Sequence, residues 1–261
     1  MAYLLYGIVK DTVVVDTQGS DHDRIHTGDR SPDAASSGHR PGMNPGNLKG
    51  VKDRPVFFVA GHGLCAAVSE LDVEEGAPPV SELLVYSRVV EDLHRLQAVV
   101  PMRYGCFLNG MESIRKILGE RQRQYHALLE ELDGRVEMGI RILLPEKRAD
   151  PRQEEQPADG RNYLLQRKAH YRMREESSRQ HRMLVEHCLQ AFAGLYGNHR
   201  TETAVKNGTV ILSLYFLVLR IHVARFQETF GKLAANGKTQ SLLSGPWPPY
   251  NFVTPDLAPA K

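Results

Sequence analysis

Three cysteines, Cys65, Cys106 and Cys188, are an odd count at wide spacing, which excludes a disulfide framework and fits a reducing compartment. The formal net charge is only +2, so the total charge demands neither nucleic acid nor an anionic membrane as partner. Long apolar runs are also missing. The longest, Val210 to Leu219, is interrupted by Ser213 and falls well short of the ~20 residues of a membrane helix, so it predicts a buried strand. Met1-Ala2-Tyr3-Leu4-Leu5-Tyr6 has no basic n-region, and Lys10 follows too soon for a secretory signal. The expectation is a cytoplasmic protein. No G-x-S-x-G, Walker A or H-E-x-x-H string occurs, so neither catalysis nor a cofactor is expected.

What the chain does have is ordinary globular material, with 41% hydrophobic and 25% charged residues. At about 100–200 residues per domain, its length makes one large domain or two ordinary ones. Tyr3 to Val9 predicts a strand. Asp16 to Arg54, dominated by Asp, Ser, Gly, Pro and His, buries too little apolar surface to offset its ordering entropy, which predicts a flexible insertion over 16–54. Pro55 to Ala60 and Leu64 to Leu71 predict a hairpin about Gly61-His62-Gly63. Ser81 is placed to cap a helix running to about Gln97, with Leu83, Tyr86, Val90 and Leu93 on one stripe. Val99 to Phe107 predicts a strand that Pro101 confines to an edge or a late start. Asn109 and Glu112 have capping-box spacing before a helix that ends at Asp133-Gly134. Val136, Met138, Ile140, Ile142 and Leu144 alternate with Glu137 and Arg141, as in a half-buried strand. This order predicts an α+β fold whose N-terminal domain, 1–147, is ferredoxin-like: a mostly antiparallel sheet with helices on one face.

The charged, proline-rich stretch 145–160 predicts a domain boundary. The C-terminal α+β domain is expected over 160–254. It would hold a long helical region from Arg161 to Gly197, a central strand from Val210 to Leu219, and a helix from His222 to Ala235 closed by Gly237. Trp247-Pro248-Pro249-Tyr250 is expected to be extended and 255–261 a frayed tail.

Several short patterns have both a functional and a plain structural reading. Gly61-His62-Gly63-Leu64-Cys65-Ala66 matches the G-x-G-x-x-A of a nucleotide-binding oxidoreductase, but too few residues follow for the crossover helix, and a glycine hairpin turn explains it. Arg103-Tyr104-Gly105-Cys106-Phe107-Leu108 has the look of an RNA-binding aromatic strand, but the motif order is permuted and core packing explains it. His22, His26 and His39 lie in the insertion and read as solvated, so no metal site is expected. Arg167, Lys168, Arg172, Arg174, Arg179 and Arg182 share a helical region with Glu175 and Glu176, which reads as a solvated face with local ion pairs.

Two segments carry a more specific signal. Val100-Pro101-Met102-Arg103-Tyr104-Gly105 resembles the V/L-P-M/V-R-F/Y-G strand of the GvpL/GvpF family of gas-vesicle proteins. Gly245-Pro246-Trp247-Pro248-Pro249-Tyr250-Asn251-Phe252-Val253 resembles that family's C-terminal G-P-W-P-P-Y-x-F-V signature. Tyr3 to Ile8, Arg135 to Ile142 and Gly160-Arg161-Asn162-Tyr163-Leu164 with Arg167-Lys168 follow the family pattern in order. Where the family often has His before its V-x-E helix pattern, this chain has Tyr86 ahead of Val90-Glu91. The resemblance implies a non-enzymatic, minor gas-vesicle component. It would help nucleate or assemble the shell by contacting the shell protein and other accessory proteins, without nucleic acid or membrane. Pro101, Arg103, Tyr104, Gly105, Trp247 and Tyr250 are the family-motif and candidate partner-binding residues. Bottom-up, Trp247 and Tyr250 read as intramolecular clamps, since each ring can bury ~150–250 Å².

Overall fold

The opening strand, β1 (Ala2–Lys10), is buried along nearly its whole length, so it must be covered on both faces. A computed structural model describes residues 2–11, 48–72, 76–145, 178–236 and 240–253. Most of the predicted insertion (16–47), the predicted boundary stretch from 146, most of the charged helical region, the Gly237 cap and the tail lie outside the described residues. The chain divides into two units, Met1–Asp133 with Val253–Lys261, and Gly134–Phe252.

The first unit holds β1, β2 (Phe57–Gly61), β3 (Leu64–Leu71), β4 (Val100–Pro101) and β5 (Phe107–Leu108). The strand order is β2-β3-β1-β4, with β5 also on β1, and every pairing is antiparallel. The β2–β3 hairpin turns at His62–Gly63, as expected. The expected Val99–Phe107 strand is instead two short strands on β1, and Pro101 does sit at the sheet's edge. The predicted capping of α1 (Val80–Leu96) by Ser81 is not observed: Pro79 is its N-cap residue. Asn109 does precede α2 (Gly110–Glu120), but its side chain makes no cap bond. The single helix expected after it is two, α2 and α3 (Gln122–Leu132), broken at Arg121.

The α2–α3 pair packs on one face of this sheet, where Leu5, Ile8, Val59, Val68 and Val100 join Ile114, Leu118, Tyr125 and Leu129 in one core. α1 covers the other face, which corrects the expectation of helices on one face. Ser69 follows Val68 and so points the opposite way. The Tyr6 hydroxyl donates to Ser69 Oγ at 3.2 Å, and the Tyr86 ring of α1 stacks on Tyr6 at 5.0 Å. The last residues of the predicted insertion are also part of this layer: Val51 is fully buried and its N–H donates to the Tyr6 hydroxyl at 3.0 Å. The Tyr86 hydroxyl lies 2.9 Å from the Leu5 carbonyl and 2.8 Å from that of Met102, so it ties α1 to both β1 and the segment after β4. Tyr86→Phe is expected to cost about 1–3 kcal/mol, since it strips a buried donor from two carbonyls. Thermal melts of the two proteins check this.

The second unit is built on β6 (Arg135–Pro145), a helix α4 at 178–191, β7 (Tyr196–Lys206), β8 (Thr209–Leu219), α5 (Val223–Asn236) and β9 (Gln240–Trp247). Its sheet has the order β7-β8-β6-β9, all antiparallel. β8 is central and apolar on both faces, as its sequence predicts. β6 was expected to close the N-terminal domain, with the boundary after 145. It pairs instead with β8 along its whole length and with β9 on its other side, so the division falls at Asp133/Gly134. Val136, Met138, Ile140 and Ile142 meet Leu212, Leu214, Phe216 and Val218 beneath Cys188, Phe192 and Phe226 of the helical layer.

Candidate interaction site

The two family-like segments lie in different units, so their residues are taken separately. In the first unit, Pro101 is buried and paired with Gly7, while Arg103 is exposed. Tyr104 donates to Glu82 Oε2 at 2.9 Å, and Lys52 lies 3.9 Å from the other oxygen of that carboxylate. The Tyr104 ring packs edge-on against Tyr86 at 5.3 Å and Phe107 at 6.4 Å. Tyr104, Gly105, Phe107, Glu82 and Pro79 line a cleft of about 260 Å³. Tyr104 is therefore locked by a hydrogen bond and two rings, and is not a free platform for stacking a base.

The Gly61-His62-Gly63 turn joins two strands, and its His62 carbonyl accepts from Gln122 Nε2 at 3.3 Å. No helix N-terminus follows it, so the nucleotide fingerprint lacks its structural context. The thiols are not poised as nucleophiles. Burial, with Asp11 accepting from its Sγ at 3.0 Å, pushes Cys65 up to about 12. Burial pushes Cys106 up to about 11 against the opposing pull of Arg121, and it raises Cys188 as well.

In the second unit the C-terminal signature finds its structural cause. After Trp247, Pro248 and Pro249 are buried, and a short 3-10 turn, Tyr250–Phe252, seats Phe252. Asn251 donates from its backbone N–H to Glu137 Oε2 at 2.8 Å and from Nδ2 to Oε1 at 2.6 Å. Glu137 is only 5% exposed, so its carboxylate is a buried acceptor built to hold this segment. The Arg200 guanidinium lies 6.0 Å over the Phe252 ring. Of the two expected clamps, Trp247 is 46% exposed and Tyr250 half-buried; Pro248, Pro249 and Phe252 are buried, and Asn251 is held by Glu137. Glu137 could not be found from its own neighbourhood, because it sits at a polar place in an alternating strand and its partner is 114 positions away.

A family model described as gas vesicle synthesis protein GvpL/GvpF matches residues 2–254. The chain belongs to the GvpL/GvpF family. Among its relatives, it is 29% identical to gas vesicle protein L of Streptomyces sp. (strain CB03234) over 183 residues, 64% of this chain and 67% of that protein. It is 26% identical to gas vesicle protein F of the same organism over 229 residues, 80% of this chain and 93% of that one. The crystal structure of GvpF from Anabaena sp. PCC7120 superposes with a TM-score of 0.69 at 15% identity, over 97% of this chain and 96% of that one. The α+β architecture with antiparallel sheets is therefore one that this GvpL/GvpF chain shares with a solved GvpF. Among the described residues, no helix is long and apolar enough to cross a membrane.

Proposed function

We propose that this chain is a non-enzymatic gas-vesicle protein, working in the cytoplasm and at the vesicle. It acts in nucleation or assembly of the shell by binding the shell protein and other accessory proteins. The observation that carries the reading is the family match along residues 2–254. Deletion of the gene should abolish or sharply reduce vesicles counted by electron microscopy, and an undiminished count would overturn the reading.

The β9 edge is the contact surface this reading favours. Among the described residues β9 ends the sheet order, and it carries Trp247 at 46% and Leu242 at 62% exposure. Leu242 pairs with Arg141 and Trp247 with Glu137, so both apolar groups lie on the sheet face away from the helices. A subunit with free strand edges must be kept from wrong pairing. An open edge beside an exposed tryptophan can take such a strand by addition, with the ring as anchor. β4 suits this less, being two residues long and buried.

The strand order and antiparallel pairings of the first unit support a ferredoxin-like reading of its sheet, from which the helices on both faces and the place of β6 in the other sheet depart. Most of the connection from β1 to β2, residues 12–47, lies outside the described residues.

Trp247→Ala should cost about 1–2 kcal/mol of unfolding free energy, because about half of the residue is buried while its neighbours hold the segment in place. The same variant should lose most of its co-purification with the shell protein. Unchanged co-purification would sink the β9 assignment while leaving the deletion experiment to judge the role in assembly.

A further inference from the structure

The opposite edge of the same sheet has a different character. Among the described residues β7 (Tyr196–Lys206) ends the strand order on that side, and every residue from Gly197 to Lys206 is exposed. An uncovered strand of this length is a pairing template unless its side chains select the partner. We propose that β7 is a self-association edge, on which a second copy of this chain pairs antiparallel about Thr201.

The register follows from backbone geometry and charge. β7 and β8 are joined through Asn207 (φ 52) and Gly208 (φ 70), with Lys206 opposite Thr209. Two successive positive φ values make a two-residue type I′ turn, in which the flanking pair exchanges both hydrogen bonds. Backbone groups alternate from there. Lys206, Ala204, Glu202 and Arg200 turn theirs toward β8, while Val205, Thr203, Thr201 and His199 turn theirs outward, as far as the irregularity between Tyr196 and Asn198. Two copies related by a two-fold axis must match outward groups to outward groups.

Charge then selects among the registers that satisfy this. Centring the axis on Arg200 sets Arg200 against itself, and centring it on Glu202 sets Glu202 against itself. Centring it on Thr203 sets Arg200 against Lys206. Centring it on Ala204 pairs Glu202 with Lys206 but leaves most of the strand without a partner. Thr201 is the midpoint of β7. An axis there pairs most of the strand and sets Arg200 against Glu202 twice, at the non-hydrogen-bonded positions where opposing side chains come closest. It also sets Thr201 against Thr201 and His199 against Thr203. Arg200 is already braced over the Phe252 ring on the sheet face that Glu202 shares. The two ion pairs are exposed, so salt should loosen the dimer.

Sedimentation velocity on the full chain alone, over a range of concentrations, tests the proposal. The protein should form a reversible dimer that weakens as salt rises. Arg200→Glu and Glu202→Arg should each weaken it by about tenfold, since each turns two attractive cross-strand pairs into repulsive ones. An equimolar mixture of the two variants should associate as well as the parent, because every facing pair is then opposite in charge. Circular dichroism melts at concentrations where the parent is monomeric should match the parent for Glu202→Arg, and differ for Arg200→Glu only by the lost contact with the Phe252 ring. A parent that stays monomeric, a dimer indifferent to the reversals, or a mixture that fails to associate would each overturn the assignment.

Discussion

Replacing Gly245 with alanine should lower the unfolding free energy by roughly 2–6 kcal/mol, read as a lower urea midpoint at unchanged slope. Two costs combine. The backbone has φ +105 there, a conformation L side chains rarely adopt. A Cβ would also lie 2.5 Å from the Glu137 carbonyl oxygen and 3.1 Å from Met138 Sδ. The first neighbour is backbone of the strand paired on both sides by β8 and β9, so it cannot move aside cheaply. The glycine that opens the C-terminal signature is thus required where β9 runs against β6 at the irregularity in their pairing. The damage should include release of the Asn251 clamp, seen as faster proteolysis near the C-terminus. A substitution that leaves the urea midpoint in place would refute this account.

The other large effect is expected in the core of the second unit. Phe192→Ala should cost about 3–5 kcal/mol in a denaturant titration. Phe192 is fully buried, stacked on Phe226 with centroids 4.2 Å apart, and it lies 5.4 Å from Phe216. Those three rings join the end of the α4 region to α5 and to the central strand β8. The surrounding sheet, pinned by its ladder, cannot collapse to fill the hole. A cost below about 1 kcal/mol would mean that the site collapses freely, contrary to this picture.

Much of this fold is legible in local pattern. The alternation of Val136 to Leu144, the apolar run of β8, the β2–β3 hairpin and the stripe of α5 all appear where the periodicity puts them. The misses have physical causes. β7 carries Asn198, His199, Arg200, Thr201, Glu202 and Thr203, a polar series with no apolar face, because an exposed edge strand buries neither side. β9 was hidden by its Ser, Gly and Pro content, which reads as loop when the neighbouring strand is unknown. The unit boundary was misplaced because a half-buried strand declares its periodicity and not its partner, and β6 has both partners far along the chain. The two-sided cover of the first sheet was hinted at by Leu4, Leu5, Tyr6, Ile8 and Val9, a run with no polar face. At the candidate site, the C-terminal signature was recognisable as a string, but which of its rings would be buried depended on Glu137, and no local rule links the two.

The long reach of β6 has a consequence for how the protein is made. The first unit's β2–β3 hairpin and its α2–α3 pair join neighbours in sequence and can form as soon as they emerge. β6 emerges directly after them and then waits, since its ladders run to β8 and β9 and its Glu137 meets Asn251 only 114 residues later. During synthesis this strand stands with both edges bare and Val136, Met138, Ile140 and Ile142 unburied. The sheet of the second unit therefore cannot close until β9, its last strand, has emerged. The nascent β6 is the segment for which a chaperone would compete.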